Sequence, residues 1–422
     1  LNNSIQEFLS SLVDYERVVS YNYDLEAYKE FLNAFDAPQK KLKNVILIGG
    51  TKGKGSTAAI LNACLVSGGY RVGLYSSPHL CKLNERIRVN NRNIADTELE
   101  NLVSRVKPLI VAKSGARSFF EALTTIAFLY FLEKQTDFTI LEVGLGGRLD
   151  ATNAADPLIS VITRVGYDHT NLLGTTLSQI TNEKAGIIRN NGELITIHQR
   201  FDAEKTIKRA VRDRSSSIIF ADEQHKIDIS DMSLKGSHVS ITGRLGEIET
   251  FLPLAGAHQI ENLALTLAVL FELKTMGFYL GLDTITKGIA NTQLHGRFDV
   301  VSQTPLVIFD CAHNEDSFKA LENTLRDLHI EDFHLVFGTN KDKDINYCLR
   351  NIFPKAREVY LVKSDNPRAV DPQDLLANAK RHQASVTISN SVPEAIQAAS
   401  KSDAKAIIIT GSFYLWQKEW KV

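Results

Sequence analysis

Cysteine is scarce in this 422-residue chain: four residues, Cys64, Cys81, Cys311 and Cys348, with no close pair. Such spacing suggests neither a zinc knuckle nor a disulfide framework, and reduced thiols in a cytoplasmic enzyme are the simplest expectation. An excess of charge of one sign is also missing. Lys plus Arg number 48 against 49 Asp plus Glu, so no bulk field draws the chain to nucleic acid or to a membrane surface. No apolar run could cross a bilayer; the longest, 263–270, is broken by Thr266. The start, Leu1-Asn2-Asn3-Ser4, lacks the basic and then apolar pattern of a secretory leader, which leads us to expect an unexported protein. Internal repeats and low-complexity tracts do not stand out.

What is present is alternation. The length suggests two or three domains. Apolar runs at 45–48, 72–75, 138–143, 159–163 and 194–197 read as buried strands, with helical patterns at 56–67, 97–111, 118–135 and 177–189 between them. Residues 217–254 differ, their short alternating segments suggesting an antiparallel ribbon, followed by a long helix over 258–276. A second series of strands follows at 306–310, 333–337, 358–362, 385–388 and 406–410, separated by helices such as 317–328 and 393–400. The pattern predicts an α/β protein of two domains with largely parallel sheets, divided at about residue 295 in the turn Gln293-Leu294-His295-Gly296-Arg297. The chemistry is expected in a cleft between the two.

The first strand runs into Gly50-Thr51-Lys52-Gly53-Lys54-Gly55-Ser56-Thr57. Glycines let backbone N–H groups approach an anion, the helix start adds partial positive charge, and Lys54 adds a full one. A nucleoside triphosphate is the first ligand to consider. The loop is not a strict G-x-x-x-x-G-K-[ST] motif: position 48 is Ile, position 55 is Gly, and the hydroxyl is displaced to Ser56.

Other strands also end on polar residues, where α/β sheets place ligands. Glu142 closes the strand before Gly144-Leu145-Gly146-Gly147-Arg148 and is placed to hold Mg²⁺. Asp168-His169 follows the next strand, near Glu142 if those strands are neighbours, and Ser76-Ser77-Pro78-His79 ends another. Glu183 and Lys184 lie in a helical segment and, taken alone, read as its solvated face. Three later strands end at Asp310-Cys311-Ala312-His313-Asn314, Gly338-Thr339-Asn340-Lys341 and Gly411-Ser412-Phe413-Tyr414, a ligand-facing edge.

Taken in order, these motifs, together with Asn84-Glu85-Arg86-Ile87, Phe119-Phe120-Glu121, 141–153, Glu183-Lys184-Ala185-Gly186, His258-Gln259, Asn262 and Asn366-Pro367-Arg368, resemble the folylpolyglutamate synthase/dihydrofolate synthase family of Mur-ligase-like enzymes over essentially the whole chain. The resemblance implies an N-terminal P-loop NTPase-like Mur-ligase central domain at 1–295, carrying the small antiparallel sheet, and a C-terminal Rossmann-like glutamate-ligase domain at 296–422. It implies an ATP-dependent amide ligase that phosphorylates a carboxylate and captures the acyl phosphate with L-glutamate. Dihydropteroate is the favoured acceptor, on the segment 147–153, with reduced folates as well.

The residue roles follow from the same resemblance. Gly50, Thr51, Lys52, Gly53, Lys54, Gly55, Ser56 and Thr57 match the ATP phosphate loop, and Asn262, Arg297 and Asp310 match nucleotide contacts. Ser77, Glu142 and His169 match ligands of the divalent metal, Mg²⁺. Lys184 matches a lysine carried as a carbamate. Arg86, His313 and Ser412 fall where the incoming glutamate is held, and Phe120, Asp150 and Ala151 at the pterin side. Lys54, Lys184 and His313 are the catalytic candidates, and a cytoplasmic monomer is implied. The chain departs from the family at Lys52, where Asn is frequent, at Leu294-His295, and at Cys311, where Gly is usual. The competing readings are a synthase restricted to chain extension, another Mur-type amino-acid ligase, and a regulatory protein that senses ATP.

Overall fold

The structure is a computed structural model that describes residues 3–13, 24–112, 117–383 and 385–417. Its described residues fall into two compact units: Leu1–Ile227 with Ile241–Thr250 and Ile260–Gln293, and Asp228–Ser240 with Phe251–Gln259 and Leu294–Val422.

The first unit is organised by eight strands: β1 Val45–Gly49, β2 Val72–Tyr75, β3 Ile87–Val89, β4 Arg92–Asn93, β5 Phe138–Glu142, β6 Ile159–Ile162, β7 Glu193–Thr196 and β8 Ser217–Phe220. They lie in the order β4-β3-β2-β5-β1-β6-β7-β8. From β2 to β8 the pairing is parallel, and β3 and β4 extend the sheet as antiparallel edge strands. β1 and β5 are buried at every residue, as strands in a parallel sheet with both faces covered must be.

Helix starts are chemically marked. Phe119–Glu133 begins with a capping box in which Ser118 Oγ accepts the Glu121 N–H (3.2 Å) and Glu121 Oε2 accepts the Ser118 N–H (2.7 Å). That helix is buried along nearly its whole length, and Tyr28, from the helix Leu25–Leu32, is tied to it through Thr125 Oγ1 at 3.0 Å.

A three-stranded sheet comprises β9 His225–Ser233, β10 Gly236–Gly243 and β11 Gly246–Leu252. Its two-residue connections can join only antiparallel neighbours. The expected ribbon over 217–254 is thus corrected at its start. Ser217–Phe220 is instead a parallel strand of the main sheet, because the helix Phe201–Asp213 carries the chain back across it as a crossover.

The helix expected over 177–189 is also shorter. It ends at Lys184 and gives way to a 3₁₀ turn, Ala185–Ile187. Asn153 Nδ2 donates to Gly186 O (3.2 Å) and Ser160 Oγ to Ile187 O (2.8 Å), so other elements take up those carbonyls.

The second unit carries β12 Asp299–Gln303, β13 Leu306–Phe309, β14 Phe333–Phe337, β15 Val359–Leu361, β16 Val386–Ile388 and β17 Ala406–Thr410, in the order β12-β13-β17-β14-β15-β16. All pairs are parallel except β12 with β13. The carboxyl ends of β13, β17 and β14 therefore stand side by side.

Candidate active site

The connection from β1 to the helix Lys54–Ser67 turns through glycine conformations, with φ +136° at Gly50 and +88° at Gly53, where a side chain is strained. Space makes the same demand. A Cβ on Gly50 would lie 1.9 Å from Thr163 Oγ1, and one on Gly53 would lie 2.0 Å from Asn262 Oδ1. Gly53 caps the helix without a side-chain hydrogen bond, so the first helical N–H groups are left to face an anion. The loop is braced from the far side. Thr51 N–H and Lys52 N–H donate to Arg164 O (2.9 and 3.1 Å), and Thr51 Oγ1 and Gly166 are joined at 3.1 Å.

Two ammonium groups converge on one carbonyl. Lys54 Nζ lies 3.3 Å and Lys184 Nζ 3.0 Å from Gly50 O. Lys184 is only 5% exposed, which overturns its reading as part of a solvated helix face. Burial, then the positive charge of Lys54, pulls its ammonium down to about 7; Lys52 adds to the pull, while Asp168 and Asp150 oppose it. Lys52 Nζ pairs with Asp168 at 3.4 Å. Asp168 in turn accepts the His169 N–H (3.0 Å) and lies 3.8 Å from the His169 ring.

Glu142 ends β5 at 5% exposure and accepts the Ser77 N–H at 3.2 Å. Its carboxylate also lies 3.6 Å from where a Cβ on Gly55 would sit, against the first turn of the phosphate-loop helix. β1 lies between β5 and β6, so the strands that lead to Glu142 and His169 are not neighbours and the phosphate loop emerges between them. Among the described residues no three of His, Cys, Asp and Glu cluster to hold a metal. One buried carboxylate and a nearby serine suit Mg²⁺, which keeps waters and leans on substrate phosphates rather than on a full protein cage.

Around this core the remaining residues of the first unit are mostly braced. Asn262 is 5% exposed and approaches Thr57 Oγ1 at 3.5 Å. Arg86 is buried, with Nε donating to His79 Nδ1 (2.9 Å) and its guanidinium 5.4 Å from the Phe119 ring centre. Phe120 and Ala151 belong to the hydrophobic core. Asp150 secures its own turn, taking N–H bonds from Gly144 (3.1 Å), Leu145 (2.9 Å) and Thr152 (3.0 Å).

Sequence reasoning missed Arg164 and Glu261. Arg164 Nε donates to Glu261 Oε2 at 3.1 Å, Nη2 to Oε1, and Nη1 to His198 O at 2.7 Å. Arg164 thus anchors the phosphate loop through its carbonyl and the neighbour of Asn262 through its side chain. The only sequence signal was its place directly after a strand.

In the second unit, Asp310 Oδ2 accepts the Phe298 N–H and Oδ1 the Ala312 N–H, both at 2.9 Å. His313 Nδ1 is 2.8 Å from Cys311 O. A carbonyl only accepts, so Nδ1 carries the hydrogen and Nε2 of the neutral ring is the basic nitrogen. Ser412 Oγ accepts the Tyr414 N–H (3.2 Å). Arg297 stacks 5.0 Å over the Phe413 ring, approaches Cys311 Sγ, and lines a cavity of about 850 Å³ with Lys235, Phe298 and Asp299.

Two family models match the chain: the Mur ligase middle domain over residues 48–270, and the Mur ligase, glutamate ligase domain over residues 296–413. A phosphate loop followed by a glutamate-ligase module defines an ATP-dependent ligase of the Mur type. Within that class the chain belongs to the dihydrofolate synthase/folylpolyglutamate synthase family. It is 32% identical over 397 residues to the dihydrofolate synthase/folylpolyglutamate synthase of Bacillus subtilis, covering 92% of this chain and 91% of that protein. A Mycobacterium tuberculosis folylpolyglutamate synthase complexed with ADP and AMPPCP superposes with a TM-score of 0.88 at 27% identity, covering 98% of this chain and 96% of that one. Escherichia coli FolC in complex with DHPP and ADP gives 0.85 at 29%, covering 97% and 95%. Among the described residues no helix is long and apolar enough to cross a membrane.

Proposed function

We propose that this chain joins L-glutamate to dihydropteroate, and also to reduced folates, at the expense of ATP. The observation that carries the reading is the convergence of Lys54 and the buried Lys184 on Gly50 O beside an uncapped helix start. A carboxylate and an ammonium do not condense unaided. Phosphorylating the acid makes an acyl phosphate that the glutamate amine attacks, releasing orthophosphate. The transfer calls for positioning and charge neutralisation, which the loop N–H groups and Lys54 supply, with Arg297 proposed as a further nucleotide contact. Bound Mg²⁺ would bring Lewis-acid neutralisation of the triphosphate, with Glu142, Ser77 and His169 as its proposed ligands. Asn262 and Asp310 hold the nucleotide; Arg86 and Ser412 hold glutamate; Phe120, Asp150 and Ala151 shape the pterin side. His313, whose Nε2 is the basic nitrogen, takes the proton from the amine.

Lys184 fits a further part of the reading. An ammonium lowered to about 7 is partly the free amine at neutral pH, and the free amine is the form that reacts with CO₂. Carbamylation would replace a cation crowded by Lys54 and Lys52 with an anion that both attract. The same proposal divides the chain at about residue 295 and holds it to be a monomer in the cytoplasm.

The test is orthophosphate release by purified protein with MgATP. Release that requires both glutamate and an acceptor is expected, with dihydropteroate and reduced folates compared as acceptors. Release with folates alone would reduce the activity to chain extension, and none with any mixture would favour an ATP sensor.

A further inference from the structure

Arg88 is the middle residue of β3. It pairs with Leu74 of β2, and Leu74 pairs with Ile140 of β5. Side chains alternate along a strand. Arg88, Leu74, Ile140 and, two residues further on, Glu142 therefore project from one face of the sheet. The Glu142 carboxylate meets the first turn of the phosphate-loop helix at Gly55, so Arg88 lies on the face where the proposed phosphoryl transfer occurs.

Its Nε is buried and has no hydrogen-bond partner. Burial pulls the guanidinium below its usual range, and the negative charges of Glu142 and Glu85 oppose that pull. Glu85 is committed to its own loop, where its carboxylate takes the N–H groups of Leu80 (2.8 Å), Cys81 (3.1 Å) and Lys82 (2.8 Å). A buried donor on a charged group without an acceptor is costly and uncommon unless a ligand completes it. Arginine's planar fork is matched to carboxylate and phosphate oxygens. Along β3-β2-β5-β1, the lysines converge at the end of β1, Glu142 ends β5, and Arg88 approaches from β3. The site then has cations on both sides of its central carboxylate.

We infer that Arg88 is an oxyanion-binding residue of the ligase site, its guanidinium taking an oxygen of the phosphoryl or carboxylate group brought to Glu142. The inference rests on the proposed function and assigns it one more binding group. Two sources share that chemistry: the terminal phosphate of the nucleotide and the carboxylate of the acceptor acid.

The experiment compares wild type, Arg88→Met and Arg88→Lys. It measures calorimetric binding of AMPPCP, ADP and dihydropteroate, steady-state kinetics with each substrate varied, and thermal unfolding. Loss of a charged hydrogen bond predicts a weakening of roughly 10-fold or more in Arg88→Met. If the terminal phosphate is the ligand, AMPPCP weakens and ADP does not. If the acceptor is the ligand, dihydropteroate weakens and both nucleotides are unchanged. In either case Arg88→Lys recovers part of the loss, KM for glutamate is unchanged, and the melting temperature does not fall. Unchanged binding of all three ligands would overturn the inference, as would equal weakening of all three with a lowered melting temperature. A wild type that binds these ligands yet forms no conjugate would count against the proposed function and leave the Arg88 comparison intact.

Discussion

The two units place polar residues at the same topological position, the carboxyl ends of parallel strands, yet spend them differently. After β1 the chain supplies backbone: two glycines at positive φ, a helix start with no side-chain cap, and lysines turned onto one carbonyl. After β13 and β17 it supplies side chains that largely complete local turns. Asp310 takes two backbone N–H groups, Ser412 caps Phe413–Leu415, and Asn314 caps Glu315–Asp327. The first arrangement leaves donors for a polyanion, whereas the second fixes a few groups, such as His313 Nε2, in set directions. Polarity at a strand end is therefore a weak guide by itself; what matters is whether the neighbouring backbone consumes it.

Substitutions can break that contrast. Lys54→Ala should give the largest effect, a loss in kcat of roughly 10³-fold or more with unchanged folding by circular dichroism; wild-type turnover would refute the phosphate-loop assignment. Lys184→Ala should cost about 10²-fold, partly restored by added short carboxylates, and intact mass of the wild type prepared with CO₂ should show an added carboxylate. His313→Ala should slow glutamate capture by roughly 10²-fold while leaving AMPPCP binding unchanged, so the second unit fails without disturbing the first. Arg164→Gln should raise KM for ATP by only about two- to five-fold, because its fork with Glu261 is half exposed. The charge swap Arg164→Glu with Glu261→Arg should recover most of that loss.

Lys184 also predicts a pH dependence of stability. Its folded value of about 7 lies below the ordinary 10.5, so between them the unfolded chain binds the extra proton and stability rises with pH. In CO₂-free buffer the melting temperature should climb more steeply across that window in the wild type than in Lys184→Met. Identical slopes would show that Lys184 is not held deprotonated by burial.

Much of this was legible in sequence. β2, β14 and β17 were expected at their observed bounds, and β1, β5 and β13 within one residue. Continuous apolar runs bounded by glycine or charge leave little choice for a doubly covered strand. Three strands at or beside sheet edges were not legible. β3, β4 and β12 are short or half-exposed, and their sequences carry no apolar run. Ser217–Phe220 joins the main sheet rather than the expected ribbon, because a strand's sequence does not name its partner. Within the candidate site the glycines and Lys54 announced themselves through motif chemistry. The burial of Lys184, the fork of Arg164 with Glu261 and the exposure of Arg88 to the charge of Glu142 are long-range consequences of strand order, which no local pattern carries.

The most direct test of the central claim follows oxygen. With ¹⁸O in the carboxylate of dihydropteroate, the account predicts one labelled atom transferred to the orthophosphate released for each conjugate formed. Conjugate that accumulates while the orthophosphate remains unlabelled would contradict it.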